Sequence, residues 1–75
     1  MKGKNKKIYE QAEVELYIAG FAVEQVAHHT FMRVKRQYDS TTIYYYPIKK
    51  VWRLEGTQDF NKIKDTQALI RKVLV

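Results

Sequence analysis

Seventy-five residues without a single cysteine leave room for one small domain and exclude disulfide staples, thiolate metal sites and cysteine nucleophiles. A chain of this size buries only about 60% of its unfolded surface, which leaves little room for a deep substrate pocket and argues against an enzyme. The hydrophobic share of 45% is enough to fold, and the formal net charge of +6 directs attention to anionic partners.

No apolar run approaches the ~20 residues that cross a bilayer. The basic start leads into Glu10, Glu13 and Glu15 rather than into the apolar core of a signal peptide. The expectation is a soluble, cytoplasmic protein with no membrane partner.

The charge is segregated along the chain. Lys2, Lys4, Lys6 and Lys7 open it with no acid among them, and Glu10, Glu13, Glu15 and Glu24 follow with no cation before Arg33. Arg33, Lys35, Arg36, Lys49, Lys50 and Arg53 are then opposed only by Asp39 up to position 53. Residues 1–7 are polar and read as a disordered basic tail, and 8–75 as one small α+β domain.

In chain order, Val14, Leu16 and Ile18 alternate with Glu13, Glu15 and Tyr17. Period two predicts a half-buried strand over 12–19. A helix competes, because Ile8, Ala12, Leu16, Ala19, Val23 and Val26 also fall near a 3.6 period. Gly20 and the β-branched residues around it weigh against one continuous helix.

A hairpin follows, with flanks at 30–37 and 41–46 rich in β formers around Tyr38-Asp39-Ser40. A tip at Asp39-Ser40 sets Val34 opposite Tyr45, Arg36 opposite Ile43, Lys35 opposite Tyr44 and Arg33 opposite Tyr46. Met32, Val34, Ile43 and Tyr45 then share one face, and Phe31, Arg33, Lys35, Tyr44 and Tyr46 the other. With no Gly for the tightest turns, a four-residue loop is favoured.

Pro47 lacks a backbone donor and should end this strand or lie on an edge. Residues 48–54 suit a further strand, with Val51 or Trp52 turned inward. Gly56 breaks the chain, and Thr57 or Asp59 is placed to cap a helix running to about Val73. Phe60, Ile63, Leu69, Ile70 and Val73 approximate its apolar stripe. The predicted fold is a three- to four-stranded antiparallel sheet with a C-terminal helix on one face, the other face being left for a partner.

The chemistry concentrates in that hairpin. Cations interleaved with flat rings suit a phosphate backbone and stacked bases. Arg33, Lys35, Tyr44 and Tyr46 form the candidate contact face, with Arg36, Lys49, Lys50 and Arg53 as phosphate contacts at its rim. The alternative is cross-strand cation–π pairing with no ligand, at ~0.5–1 kcal/mol a pair. It explains each pair but not the further cations Lys49, Lys50 and Arg53. The basic tail is read as a solubilising terminus ahead of a phosphate-binding arm.

Other constellations carry less. Adjacent His28 and His29 diverge on a strand or a helix and do not converge on one ion. Asp39 and Ser40 read as turn chemistry, with no nucleophile elbow around the serine. Glu13 and Glu15 read as a solvated strand face, and Trp52 as core. The glycines, at 3, 20 and 56, form no phosphate-binding loop. No catalytic residue, metal site or cofactor is expected. Zinc-finger, helix-turn-helix, cold-shock and RNA-recognition signatures are absent.

The sequence thus predicts a small non-enzymatic nucleic-acid-binding protein, for DNA or RNA. Two alternatives stand beside it. One is a regulator or inhibitor docking its basic face on an acidic protein partner. The other is a homodimer with the aromatic face as its interface, which would help so short a chain to stabilise itself.

Overall fold

A computed structural model of the chain describes residues 3–26 and 30–75. The reading of His28-His29 falls outside them. Helix α1 spans Gly3–Ile18, where the alternation at 12–19 predicted a strand and where residues 3–7 were expected to be disordered. Lys, Glu, Gln and Ala favour helix in this stretch. Tyr9, Ala12 and Leu16, spaced three and four apart, form its single buried stripe. Val14 and Ile18, two of the three apolar members of the apparent alternation, are 47% and 81% exposed.

Gly20 ends the helix rather than breaking it. Its φ of 94° is left-handed backbone that glycine adopts without a Cβ penalty. Its N–H donates to the Tyr17 carbonyl at 3.0 Å and the Phe21 N–H to the Leu16 carbonyl at 3.0 Å. These are the paired bonds of a Schellman cap, and Leu16 and Phe21 are both buried beside it.

Five strands then form one antiparallel meander in the order β1-β2-β3-β4-β5: Val23–Val26, Phe31–Lys35, Thr42–Tyr46, Val51–Leu54 and Asn61–Lys62. The sheet therefore has five strands where three or four were predicted. Helix α2 (Thr66–Leu69) continues as a wider π-helical segment, Ile70–Leu74. It starts at Asp65, whose carboxylate accepts from the Ala68 N–H at 2.8 Å, and not at Thr57 or Asp59. The chain between Gly56 and Asp65 is taken up by a loop and β5 instead.

The β2–β3 register also differs from expectation. Met32 faces Tyr45, Arg33 faces Tyr44, Val34 faces Ile43 and Lys35 faces Thr42. The shift is two residues, so both predicted faces survive it. Its cause lies in the loop 37–40. The Arg36 N–H donates to the Thr41 carbonyl at 2.9 Å, and the Ser40 N–H to the Arg36 carbonyl at 3.0 Å. Ser40 itself takes a φ of 60°. The expected four-residue loop is present, one residue earlier than the assumed tip. The β3–β4 turn repeats this geometry, with Lys50 at φ 58° and its N–H donating to the Tyr46 carbonyl at 2.8 Å. Pro47 lies in that turn, just after β3, as its missing donor requires.

Met32, Val34, Ile43 and Tyr45 on the inner face join Tyr9, Ala12, Leu16 and Phe21 and the C-terminal Leu69, Ile70 and Leu74 in one core. Trp52, opposite Tyr45, and Leu54, opposite Ile43, pack against it from β4. Both described helices therefore sit on the inner face, and the outer face of the sheet is covered by neither. The α+β class with a C-terminal helix on one sheet face is as predicted; the second, N-terminal helix on that same face was not.

Candidate nucleic-acid interface

Register sets the outer face. Glu24 pairs with Arg33, Arg33 with Tyr44 and Tyr44 with Arg53, so four side chains from β1 to β4 lie in one row across the sheet. The row is held by contacts between its members. Arg33 donates to Glu24 at 3.1 Å and places its guanidinium carbon 5.7 Å from the centroid of the Tyr44 ring. On the other side of that ring, Arg53 lies 4.4 Å away. Arg53 also reaches the Phe60 ring at 5.8 Å, which extends the row to the loop before β5.

A second set of rings lies beside it. Phe31 stacks on Tyr46 at 4.8 Å and an interplanar angle of 20°, and Tyr46 meets Phe60 edge-on at 5.3 Å. Phe31 also tilts against Tyr44 at 5.5 Å. Val51 and Lys62, partners in the β4–β5 ladder, complete this side. Such rings present apolar faces that any base can stack on.

Carboxylates interrupt the positive field. The Tyr44 hydroxyl donates to Glu55 Oε2 at 2.9 Å, and Glu24 holds Arg33. The neighbouring Tyr44 hydroxyl, and then the Glu24 carboxylate, raise the Arg33 guanidinium above its ordinary value. Arg53 donates to the Thr57 carbonyl at 2.9 Å, which fixes the plane it offers to the rings. A guanidinium carries five N–H donors, so each arginine retains edge donors after these bonds.

Of the eight residues singled out from sequence, Arg33, Lys35, Tyr44, Tyr46 and Arg53 come together here. Arg36 does not. It follows the inner-face parity of Val34, binds Asp39 at 2.7 Å and stacks over Tyr38 at 4.7 Å, and so serves as a staple for the β2–β3 loop. Lys49 and Lys50 are exposed in the β3–β4 turn, at the end of the sheet rather than on its face. The Lys50 carbonyl accepts from the Ile63 N–H at 3.0 Å.

Phe60 was missed as a contact residue because it was assigned to the stripe of a longer C-terminal helix. It is 53% exposed on the outer side. Nothing local in the sequence marks it; only the late start of α2 releases it to the sheet. Asp39, once separated from any triad, is held by Arg36 and by the Thr41 N–H at 3.0 Å. Glu13 accepts from Gln25 and Glu15 from Gln67, so these two acids tie α1 to β1 and to α2. Among the described residues no group of His, Asp or Glu is arranged to hold a metal ion, and no helix is long and apolar enough to cross a membrane. No family model, curated protein or solved structure matches the chain.

Proposed function

We propose that the protein binds nucleic acid on the outer face of its sheet, through Phe31, Arg33, Lys35, Tyr44, Tyr46, Arg53 and Phe60. The observation that carries this reading is the cross-strand row in which Arg33 and Arg53 flank the Tyr44 ring on a sheet face that neither described helix covers. Rings stacked by guanidinium groups keep their cations at a fixed height above the sheet. Phosphates then meet edge N–H donors while bases stack on Phe60 and Tyr46. Lys62, Lys49 and Lys50 add phosphate attraction towards one end of the face, with the salt dependence that counterion release imposes. No catalytic group is part of this reading.

The test is a fluorescence-anisotropy titration of labelled single- and double-stranded DNA and RNA across a salt series. Tyr44→Ala/Tyr46→Ala and Arg33→Ala/Arg53→Ala are run beside the parent, with circular dichroism to confirm that each variant folds. Binding that falls with salt and weakens in both folded variants is the expected result. Failure of every nucleic acid to bind at low salt would sink the proposal and return the face to an acidic protein partner or to self-association.

A further inference from the structure

The outer face carries a depression of about 310 Å³ beside the Arg33–Tyr44 pair, lined by Ala22, Val23, Glu24, Arg33, Lys35, Thr42 and Glu55. Its polar lining has two signs. Arg33 and Lys35 are donors, Glu24 and Glu55 are acceptors, and the Thr42 hydroxyl is either. For a surface that only tracks phosphates, two carboxylates at this position are a liability, since each repels the backbone. For a surface that reads a base edge they supply the acceptors that cations cannot. The bonds already made engage Oε1 of Glu24 and Oε2 of Glu55, and each carboxylate has a second oxygen.

We infer that this depression takes the Watson–Crick edge of an unpaired cytosine in preference to thymine or uracil. The inference rests on the nucleic-acid reading of the face and names the base it favours. Cytosine presents an amino donor at N4 next to acceptors at N3 and O2, which matches a carboxylate set beside Arg33 and Lys35. Carboxylates accept from cytosine N4 as a recurring pairing. Thymine and uracil place the O4 acceptor where cytosine has its amino group, so oxygen would face carboxylate oxygen. A volume near the lower end of ordinary ligand sites suits one base. In a duplex that edge is already paired, so the ligand is single-stranded.

The experiment measures anisotropy with oligodeoxycytidine and oligodeoxythymidine of equal length, at slightly alkaline pH and fixed salt. The parent is compared with Glu24→Ala, Glu55→Ala and the double variant, each confirmed as folded by circular dichroism. The parent should bind the cytidine oligomer about five- to tenfold more tightly, the lower range of one good base contact. The double variant should bind both oligomers more tightly than the parent and about equally, because repulsion and discrimination are removed together. Equal, salt-sensitive binding of both oligomers by the parent overturns the cytosine site and leaves the nucleic-acid face standing. Unchanged discrimination in the double variant also overturns it. If the parent binds neither oligomer, nor any other nucleic acid at low salt, the reading of the face itself fails.

Discussion

Arg53 places its guanidinium carbon 4.4 Å from the centre of the Tyr44 ring, across the β3–β4 ladder in which the two residues are direct partners. The contact stiffens the sheet and sets the cation that the proposed ligand would meet. Lysine keeps the charge and loses the flat stack. Arg53→Lys should therefore cost about 0.5–1 kcal/mol of stability, the range of an exposed cation–π pair. Arg53→Ala should cost somewhat more, through lost packing on Phe60 as well. Urea denaturation checks both, and equal stability of Arg53→Lys and the parent would show that the stack contributes nothing.

The Schellman cap at Gly20 gives a second prediction. A Cβ at this position meets nothing within 4 Å, so the cost of alanine is conformational and not steric. Left-handed backbone at φ 94° should make Gly20→Ala destabilising by about 1–2 kcal/mol. Gly20→Asn should lose less, because asparagine tolerates this region. Thermal unfolding of the two variants should rank them in that order below the parent.

Residues that read ambiguously in sequence did so for physical reasons. The two faces of the β2–β3 hairpin were legible because period two separates Met32, Val34, Ile43 and Tyr45 from Arg33, Lys35, Tyr44 and Tyr46 whatever the even shift in register. The register itself was not, because it depends on Ser40 adopting a left-handed conformation that serine seldom takes. The N-terminal helix was hidden by Val14 and Ile18, apolar residues exposed on its solvent side that mimic strand alternation around Leu16. Gly20 looked like an obstacle to a helix when it was the cap of one. The outer face could be read in part, since most of its cations and rings lie in one hairpin. Glu24 reaches it through strand pairing, Glu55 from the end of β4, and Phe60 through the late start of α2.

Ser40 and Lys50 end their four-residue loops at φ 60° and 58°. Glycine relieves that strain, though it also gives the unfolded chain more freedom. Ser40→Gly should stabilise by up to about 1 kcal/mol, which for a domain of this size raises Tm by roughly 4–8 °C. Lys50→Gly should do the same in the β3–β4 turn. A lowered Tm for both would mean that the unfolded-state term dominates.

Asp39 ties the β2–β3 loop to pH. The Arg36 guanidinium, and then the Thr41 N–H, hold its carboxyl well below the usual carboxylate range. A lowered folded value means stability that is present above about pH 4, near which the unfolded carboxyl titrates. That contribution is lost as pH falls towards the folded value. Urea midpoints measured from neutral pH downwards should decline below about pH 4, and less steeply in Asp39→Asn than in the parent. Because Asp39 is exposed, added salt should shrink the difference.

The opposite limb of the pH profile belongs to two buried phenols. Tyr45 exchanges a 2.8 Å hydrogen bond with the Thr66 hydroxyl, and the Tyr9 hydroxyl donates to the Phe31 carbonyl at 2.8 Å. Burial raises both groups above their ordinary value, outweighing the Thr66 contact at Tyr45 and the Val26 backbone contact at Tyr9, which act the other way. The folded chain therefore keeps protons that the unfolded chain releases near pH 10. Stability from these phenols is present below that pH and is lost as pH rises through the folded values. Tyr45→Phe should flatten the alkaline decline. At neutral pH it should cost about 1–3 kcal/mol, since the buried Thr66 hydroxyl loses its partner. Thr66→Val in the same background should recover part of that loss by removing the stranded hydroxyl, a double-mutant cycle read from urea midpoints. Should Tyr45→Phe leave both neutral stability and the alkaline slope unchanged, the Tyr45–Thr66 pair is not what joins α2 to the sheet.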